Sequence, residues 1–403
     1  MNKVAAVDIA IFGGGIAGLW LLHRLRQAGL TAVLFESGAL GAGQTLKSQG
    51  IIHGGMKYAL QGVLTAESQS MADLPALWQK CLDGTGEIDL QAVKVLSDKQ
   101  YLWAPNKFTS TVAGMAATKT LSSKVQAISR EQFPPVFQHP SFKGHMFALD
   151  EMVLDVPSLV KALAKANQDA LYKIEPLCDQ EIKLDEHGNM VSATVYLAGQ
   201  ALEVRAQQFV FTAGSGNEVI IKKLQKNDLA MQRRPLHMTM VKTGLDYDVY
   251  AHCLSLSVRP RVTITTHHLQ SGEAVWYLGG AIAEDGVNRN TAAQNKAAHD
   301  ELCSLFPWLD FSKATYASFM IDRAEPLQSN GLKPETALAR TVGNMTVAWP
   351  TKLALAPRLA EELMRQFKHI KSEWHDVKEL RAWAMPTVGR PIWEDGVYLA
   401  VES

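Results

Sequence analysis

The sequence predicts an α/β chain, α+β overall, whose parallel-sheet core is interrupted by an antiparallel-sheet unit and resumes towards the end. Three observations carry this prediction. Residues 4–36 repeat strand, helix and strand; residues 236–282 alternate apolar and polar in the manner of strands; and a further strand and helix follow at 346–367. A helical apolar period followed by period-2 alternation marks the change from one kind of unit to the other.

Val4–Phe12 is an apolar run of strand length with Asp8 as its only charge. Gly13 to Gly15 break it. From Ile16 to Ala28 the apolar residues Leu19, Leu22, Leu25 and Ala28 fall at helical spacing, and Gly29 stands where a helix C-cap is expected. Thr31–Phe35 is a second apolar, partly β-branched run closing on Glu36. So short a strand–helix–strand unit requires a parallel pair with a right-handed crossover. Further helices are expected over 66–80, over Val156–Ala164 with Pro157 in its first turn, over 291–305 and over Pro357–Phe367. Residues 92–150 mix short strands with proline loops. Residues 172–212 read as strands joined by turns at Glu186–Asn189 and Ala198–Gln200, ending in the buried-type run Phe209–Thr212. Thr346–Trp349 is a late strand. The expected division places 1–80, 151–230 and 335–403 in one discontinuous unit and 81–150 with 231–334 in a second.

Composition narrows the function. At 403 residues the chain exceeds a comfortable single core. Forty basic residues balance forty acidic ones, which argues against a nucleic-acid partner held by bulk charge. Cys81, Cys178, Cys253 and Cys303 form no CxxC pair, so neither a zinc site nor a disulfide framework is expected. No signal-peptide pattern and no apolar run of membrane-spanning length is present, so the expected location is cytoplasmic, with peripheral membrane contact left open.

Gly13-x-Gly15-x-x-Gly18 sits between the first strand and helix. Alone this pattern is weak, but this context makes it a Rossmann-like dinucleotide turn. Gly13 permits the turn, Gly15 lets a pyrophosphate approach the backbone at Ile16 and Ala17, and Gly18 lets the helix pack closely. The anion then sits at a helix N-terminus. Glu36, 18 residues beyond Gly18, is placed to accept hydrogen bonds from a ribose and would repel the extra phosphate of NADP.

The stretch that follows, from Ser37 to Tyr58, is SGALGAGQTLKSQGIIHGGMKY. It resembles the D-amino-acid oxidase-like superfamily of FAD-dependent oxidoreductases, whose cofactor domain is of glutathione-reductase type. Ser48 to Tyr58 is most similar to the FAD-dependent glycerol-3-phosphate dehydrogenases and the L-2-hydroxyglutarate dehydrogenases and oxidases. The resemblance implies that Ser37, Gln44, Thr45, Ser48, Gln49 and Gly50 run along FAD. It implies that Ile174 lies by the adenine and that Ala213 and Gly214 close over the cofactor. Gly343–Pro357 resembles the last FAD-binding strand, loop and helix, which places Thr351, Lys352 and Leu353 at the flavin. Two departures stand out: Lys57 occupies a position that is Arg in the glycerol-3-phosphate enzymes, and Trp349-Pro350-Thr351-Lys352 replaces a glycine-rich loop.

The resemblance makes His53 the candidate base, the alternative being a hydrogen-bonded loop histidine. Lys57 and Tyr58 could hold a substrate anion, or Lys57 could be a solvated lysine. Arg323 could fork onto a carboxylate, or pair internally with Asp322 or Glu325. Lys352 could touch flavin or assist oxygen, while Arg234 reads as structural. Tyr101, Trp103, Trp276 and Tyr277 line a pocket or fill a core, and His267 and His268 read as surface or core, with no metal expected. The expected activity is hydride transfer to FAD from a small anionic 2-hydroxy acid or polyol phosphate. An amine- or amino-acid-oxidising enzyme is the alternative, and a non-catalytic FAD-binding subunit or sensor is the reading of another class. Oxygen, quinone or a protein remains open as electron acceptor.

Overall fold

Val4–Phe12 (β1) is the centre of a parallel sheet, flanked by Ala32–Glu36 (β2) on one side and Gln200–Phe211 on the other. Across that sheet the order is Leu338–Val342, Met345–Trp349, Gln200–Phe211, β1, β2 and Leu171–Lys173. The computed structural model describes residues 3–55, 71–105, 125–225, 229–254, 259–328, 334 and 336–401. Both faces of the parallel strands are covered, which is why β1 is apolar along its length rather than alternating. One face packs on the helices Ile16–Gln27 (α1), Val156–Ala166 and Ala356–Gln366. The other buries the ring stack of Phe35, Phe12 and Phe211.

Among the described residues the second sheet has nine strands. Thr315–Pro326 pairs along its length with Met231–Lys242, and Ala274–Gly279, Thr263–His268 and Ala251–Cys253 follow. Gln100–Ala104, His145–Leu149 and Val125–Ala127 complete it. Among the described residues its pairings are antiparallel except that of Ala251–Cys253 with Gln100–Ala104. The helix Thr291–Leu305 packs on this sheet, capped by the Asn290 side chain.

The helix expected over 66–80 is, among the described residues, the segment Leu74–Leu82. Pro75 explains the start, because proline is tolerated only in a first turn, where its missing N–H has no partner to lose. Trp78 of this helix packs on Trp20 of α1 and donates from its indole N–H to the Ala354 carbonyl at 3.0 Å. The tail differs more. Residues 335–403 were expected to stay with the parallel sheet, yet Leu399–Ala400 pairs with Thr315–Tyr316 of the second sheet. On the way the chain is held at Lys173 and at Leu40, and Trp393 stacks on His267 with centroids 4.0 Å apart.

Asp8, the single charge in β1, is fully buried and ties neighbouring segments to this central strand. Its carboxylate accepts the N–H groups of Thr31, Glu373 and Trp374 at 2.8–3.0 Å and the Gln207 amide at 2.8 Å. Burial pushes its pKa up, but the backbone donors outweigh that and hold the carboxyl below its ordinary value. A depressed carboxyl contributes stability above its unfolded pKa and loses it as pH falls through the folded one. Asp8→Asn should therefore cost about 1–3 kcal/mol near neutral pH, through one poorly matched buried group. Urea melts should show this gap narrowing as the solution is acidified below the carboxylate range.

Candidate active site

The turn between β1 and α1 is shaped for an anion. Gly13 has φ +116°, and a Cβ there would lie 2.6 Å from the backbone of Ala213, so the turn nests against the loop after Gln200–Phe211. Gly18 lies where a Cβ would meet the Gly13 carbonyl at 2.1 Å. Gly15 is the N-cap of α1 and offers no side chain, and no acidic residue stands in the first turn. The helix dipole and its first N–H groups, at Ile16, Ala17 and Gly18, are therefore not offset by an acid of the helix's own first turn. The Thr45 hydroxyl accepts the Ile16 N–H at 3.0 Å, which pins the following loop to the helix start. Glu36 ends β2 with Oε2 accepting the Gly14 N–H at 2.6 Å and Oε1 accepting that of Gly38. These residues fit a dinucleotide pyrophosphate and its ribose.

The other residues named for the cofactor converge on this end of the sheet. The Lys173 ammonium donates to the carbonyls of Ser37 and Gly38. Ile174 is fully buried beside it, its N–H on the Glu36 carbonyl. The Gln44 side chain accepts the Ala324 N–H at 3.2 Å and borders Gly214, while Ala213 donates to Asn217. Ser48 donates to the Thr45 carbonyl. The Gln49 amide donates to the Tyr277 and Thr263 carbonyls at 2.9 and 3.2 Å, so it also ties the loop to the second sheet. Thr351 has φ +60°, its hydroxyl donates to the Thr336 carbonyl, and Leu353 opens the turn into Ala356–Gln366.

His53 follows this loop. Its side chain is 19% exposed, and Nδ1 lies 3.4 Å from Oε2 of Glu151. The other oxygen of Glu151 accepts the Gly54 N–H at 2.7 Å, and this carboxylate is 1% exposed. His252, from the second sheet, lies with its ring 24° from parallel to that of His53 at 6.0 Å, and its Nδ1 is 2.7 Å from the Thr263 hydroxyl. No metal spacing was expected among the histidines, yet ligand atoms of His53, Glu151 and His252 all lie within 4.8 Å of one another. Neither Glu151 nor His252 was singled out from sequence. Only the pairing of residues 50–54 against 152–154 brings Glu151, 98 positions away, to His53.

Lys57 and Tyr58 lie outside the described residues. Arg323 pairs with Glu284 at 3.3 Å, not with Asp322 or Glu325. Strand register explains the correction: Arg323 sits opposite Arg234, and Arg234 takes both oxygens of Glu325, at 2.6 and 2.8 Å. Burial and the neighbouring Arg234 lower the pKa of Arg323. The Lys352 ammonium lies 3.3 Å from the Met71 sulfur. Trp103, Trp276 and Tyr277 are fully buried, and Tyr277 donates to the Lys47 carbonyl. His267 is buried and His268 exposed, and burial pushes the pKa of His267 down to about 3, leaving it neutral. The four cysteines are free thiols. No helix among the described residues is long and apolar enough to cross a membrane.

A family model described as FAD-dependent oxidoreductase matches residues 8–332. A probable FAD-dependent oxidoreductase of Pseudomonas aeruginosa is 44% identical over 398 residues, 98% of this chain and 99% of that protein. Its crystal structure aligns with a TM-score of 0.83 at 42% identity, again over 98% and 99% of the two chains. An alpha-glycerophosphate oxidase of Enterococcus casseliflavus is 26% identical over 249 residues, which is 57% of this chain and 39% of that enzyme. Glycine oxidase from Geobacillus kaustophilus shares the fold, with a TM-score of 0.63 at 17% identity over 93% and 98% of the two chains.

Proposed function

The chain belongs to the FAD-dependent oxidoreductase family, and from this we propose that it oxidises a small anionic alcohol, a 2-hydroxy acid or a polyol phosphate. The observation that carries this reading is His53, a partly buried imidazole directly after the loop pinned to the start of α1. FAD, when bound, supplies the acceptor for the hydride leaving the substrate carbon. Removing hydride from an alcohol to leave a carbonyl also requires the O–H proton to depart, and an imidazole is suited to take it near neutral pH. A neutral amine already carries a lone pair that drives hydride loss, so it has less need of a base. The glycine turn, α1, Glu36 and the 37–50 loop would hold the cofactor. The second sheet would cover it and supply His252 and the cationic residues that receive the substrate charge. The similarity to the alpha-glycerophosphate oxidase supports the alcohol side; the shared fold with glycine oxidase keeps the amine alternative in the test.

The test is anaerobic mixing of the flavin-loaded protein with glycerol 3-phosphate, 2-hydroxyglutarate and lactate, and separately with glycine, sarcosine and D-amino acids. We expect the flavin band near roughly 450 nm to bleach with a member of the first group, as oxidised flavin does on reduction. Bleaching by amines alone would overturn the proposal in favour of the amine branch.

A further inference from the structure

We infer that Glu151 is a positioning residue for His53, holding the Nδ1 proton so that the opposite ring nitrogen is the proton acceptor; this rests on the proposed role of His53. The carboxylate is placed by backbone pairing rather than by chance proximity. Ile51 bridges Val153 antiparallel, the Ile52 N–H donates to the Met152 carbonyl at 2.8 Å, and the Leu154 N–H donates to the Gly50 carbonyl at 2.9 Å. These two segments run side by side, so Glu151 faces the His53–Gly54 peptide. One of its oxygens takes the Gly54 N–H at 2.7 Å and the other lies 3.4 Å from His53 Nδ1. One carboxylate thus grips both the backbone and the ring of the same dipeptide, fixing the ring's rotation as well as its tautomer.

A carboxylate this deeply buried strongly favours a positive charge beside it, and the imidazolium formed when His53 takes a proton supplies one. The arrangement follows the general logic by which a buried acid orients a histidine base. The same two side chains, with His252, have the spacing of metal ligands. Yet one Glu151 oxygen accepts the Gly54 N–H, the other lies 3.4 Å from His53 Nδ1, and His252 Nδ1 lies 2.7 Å from the Thr263 hydroxyl. A cation would compete with these contacts.

The test compares the wild type with Glu151→Gln, both loaded with flavin. Gln can still accept from Gly54, but it presents an N–H to Nδ1 and so forces the other tautomer. Nitrogen-15 spectra of the histidine rings, recorded without substrate, should show His53 protonated at Nδ1 in the wild type and at Nε2 in the variant. The limiting rate of flavin reduction should fall by about 10²–10⁴-fold, with the substrate concentration for half-maximal rate little changed. Glu151→Asp, which keeps the charge, should recover part of the rate. Wild-type reduction rates in Glu151→Gln, a wild-type His53 ring unprotonated at Nδ1, or a stoichiometric metal in the purified protein would each overturn the proposal. The wild-type spectrum needs no variant to fold and no substrate. An Nδ1-protonated ring in a protein that no alcohol reduces would therefore sink the alcohol reading while leaving the placement intact.

Discussion

Replacing His53 with Asn leaves FAD in place and slows its anaerobic reduction by substrate by about 10²–10⁴-fold, the usual weight of a positioned general base. The reasoning is local. His53 lies after the segment that touches the α1 start, where the turn is held by Thr45 and Glu36. Cofactor content and the absorbance of the oxidised protein should therefore match the wild type. Asn keeps a polar side chain able to meet Glu151 but has no nitrogen that takes a proton near neutral pH. The effect should fall on the limiting rate and not on the substrate concentration needed to reach half of it, because a base acts as the proton leaves. Stopped-flow measurement checks this directly. A variant reduced within a few-fold of the wild-type rate would show that the proton leaves by another route.

Gly18→Val has the other large expected effect, and it acts on the cofactor. A Cβ at residue 18 would lie 2.1 Å from the Gly13 carbonyl, 2.7 Å from the Thr212 hydroxyl and 3.1 Å from Leu34. Two of these neighbours belong to sheet strands or the turn itself, and α1 cannot retreat because its outer face packs on Ala356–Gln366 and Val156–Ala166. Overpacking of this kind typically costs about 1–3 kcal/mol, and here the strain falls on the turn that would cradle the pyrophosphate. The variant should purify colourless, or nearly so, with a melting temperature below that of the wild type even before the lost contribution of bound FAD is counted. A yellow, stable Gly18→Val protein would remove the basis for placing the cofactor on this turn.

What the sequence made legible was local and periodic. β1, α1 and Thr291–Leu305 lie where apolar spacing put them, since three- to four-residue periods and glycine stops act within one segment. The order of the second sheet was not legible. Its parallel contact between Ala251–Cys253 and Gln100–Ala104 joins strands about 150 residues apart, and no local pattern encodes such a partner. The site divides in the same way. The glycine turn, Glu36 and His53 announce themselves by motif, whereas Glu151 becomes visible only through the pairing of 50–54 with 152–154. Arg323 shows the same limit: the internal partners weighed for it were the nearest acids in sequence, but Asp322 points to the opposite face of the strand, Glu325 is held by Arg234, and Glu284 comes from a different element.

The route of residues 384–400 bears on the order in which the molecule can be completed. Ala384 accepts the Lys173 N–H, Thr387 and Gly389 bracket Leu40, and Leu399–Ala400 extends the second sheet beside Thr315–Tyr316. Everything this segment holds is made before it during N-to-C synthesis, at about 5–20 residues per second. The loop that follows Glu36 is thus left without its outer fastening for many seconds after the glycine turn has emerged. β1 can pair early with β2, but on its other side it waits for Gln200–Phe211, so that second parallel pairing is a late, long-range event of the slow-folding kind. The nascent chain consequently passes an interval in which Leu40 and the loop after Glu36 lack the hydrogen bonds that residues 384–389 later supply.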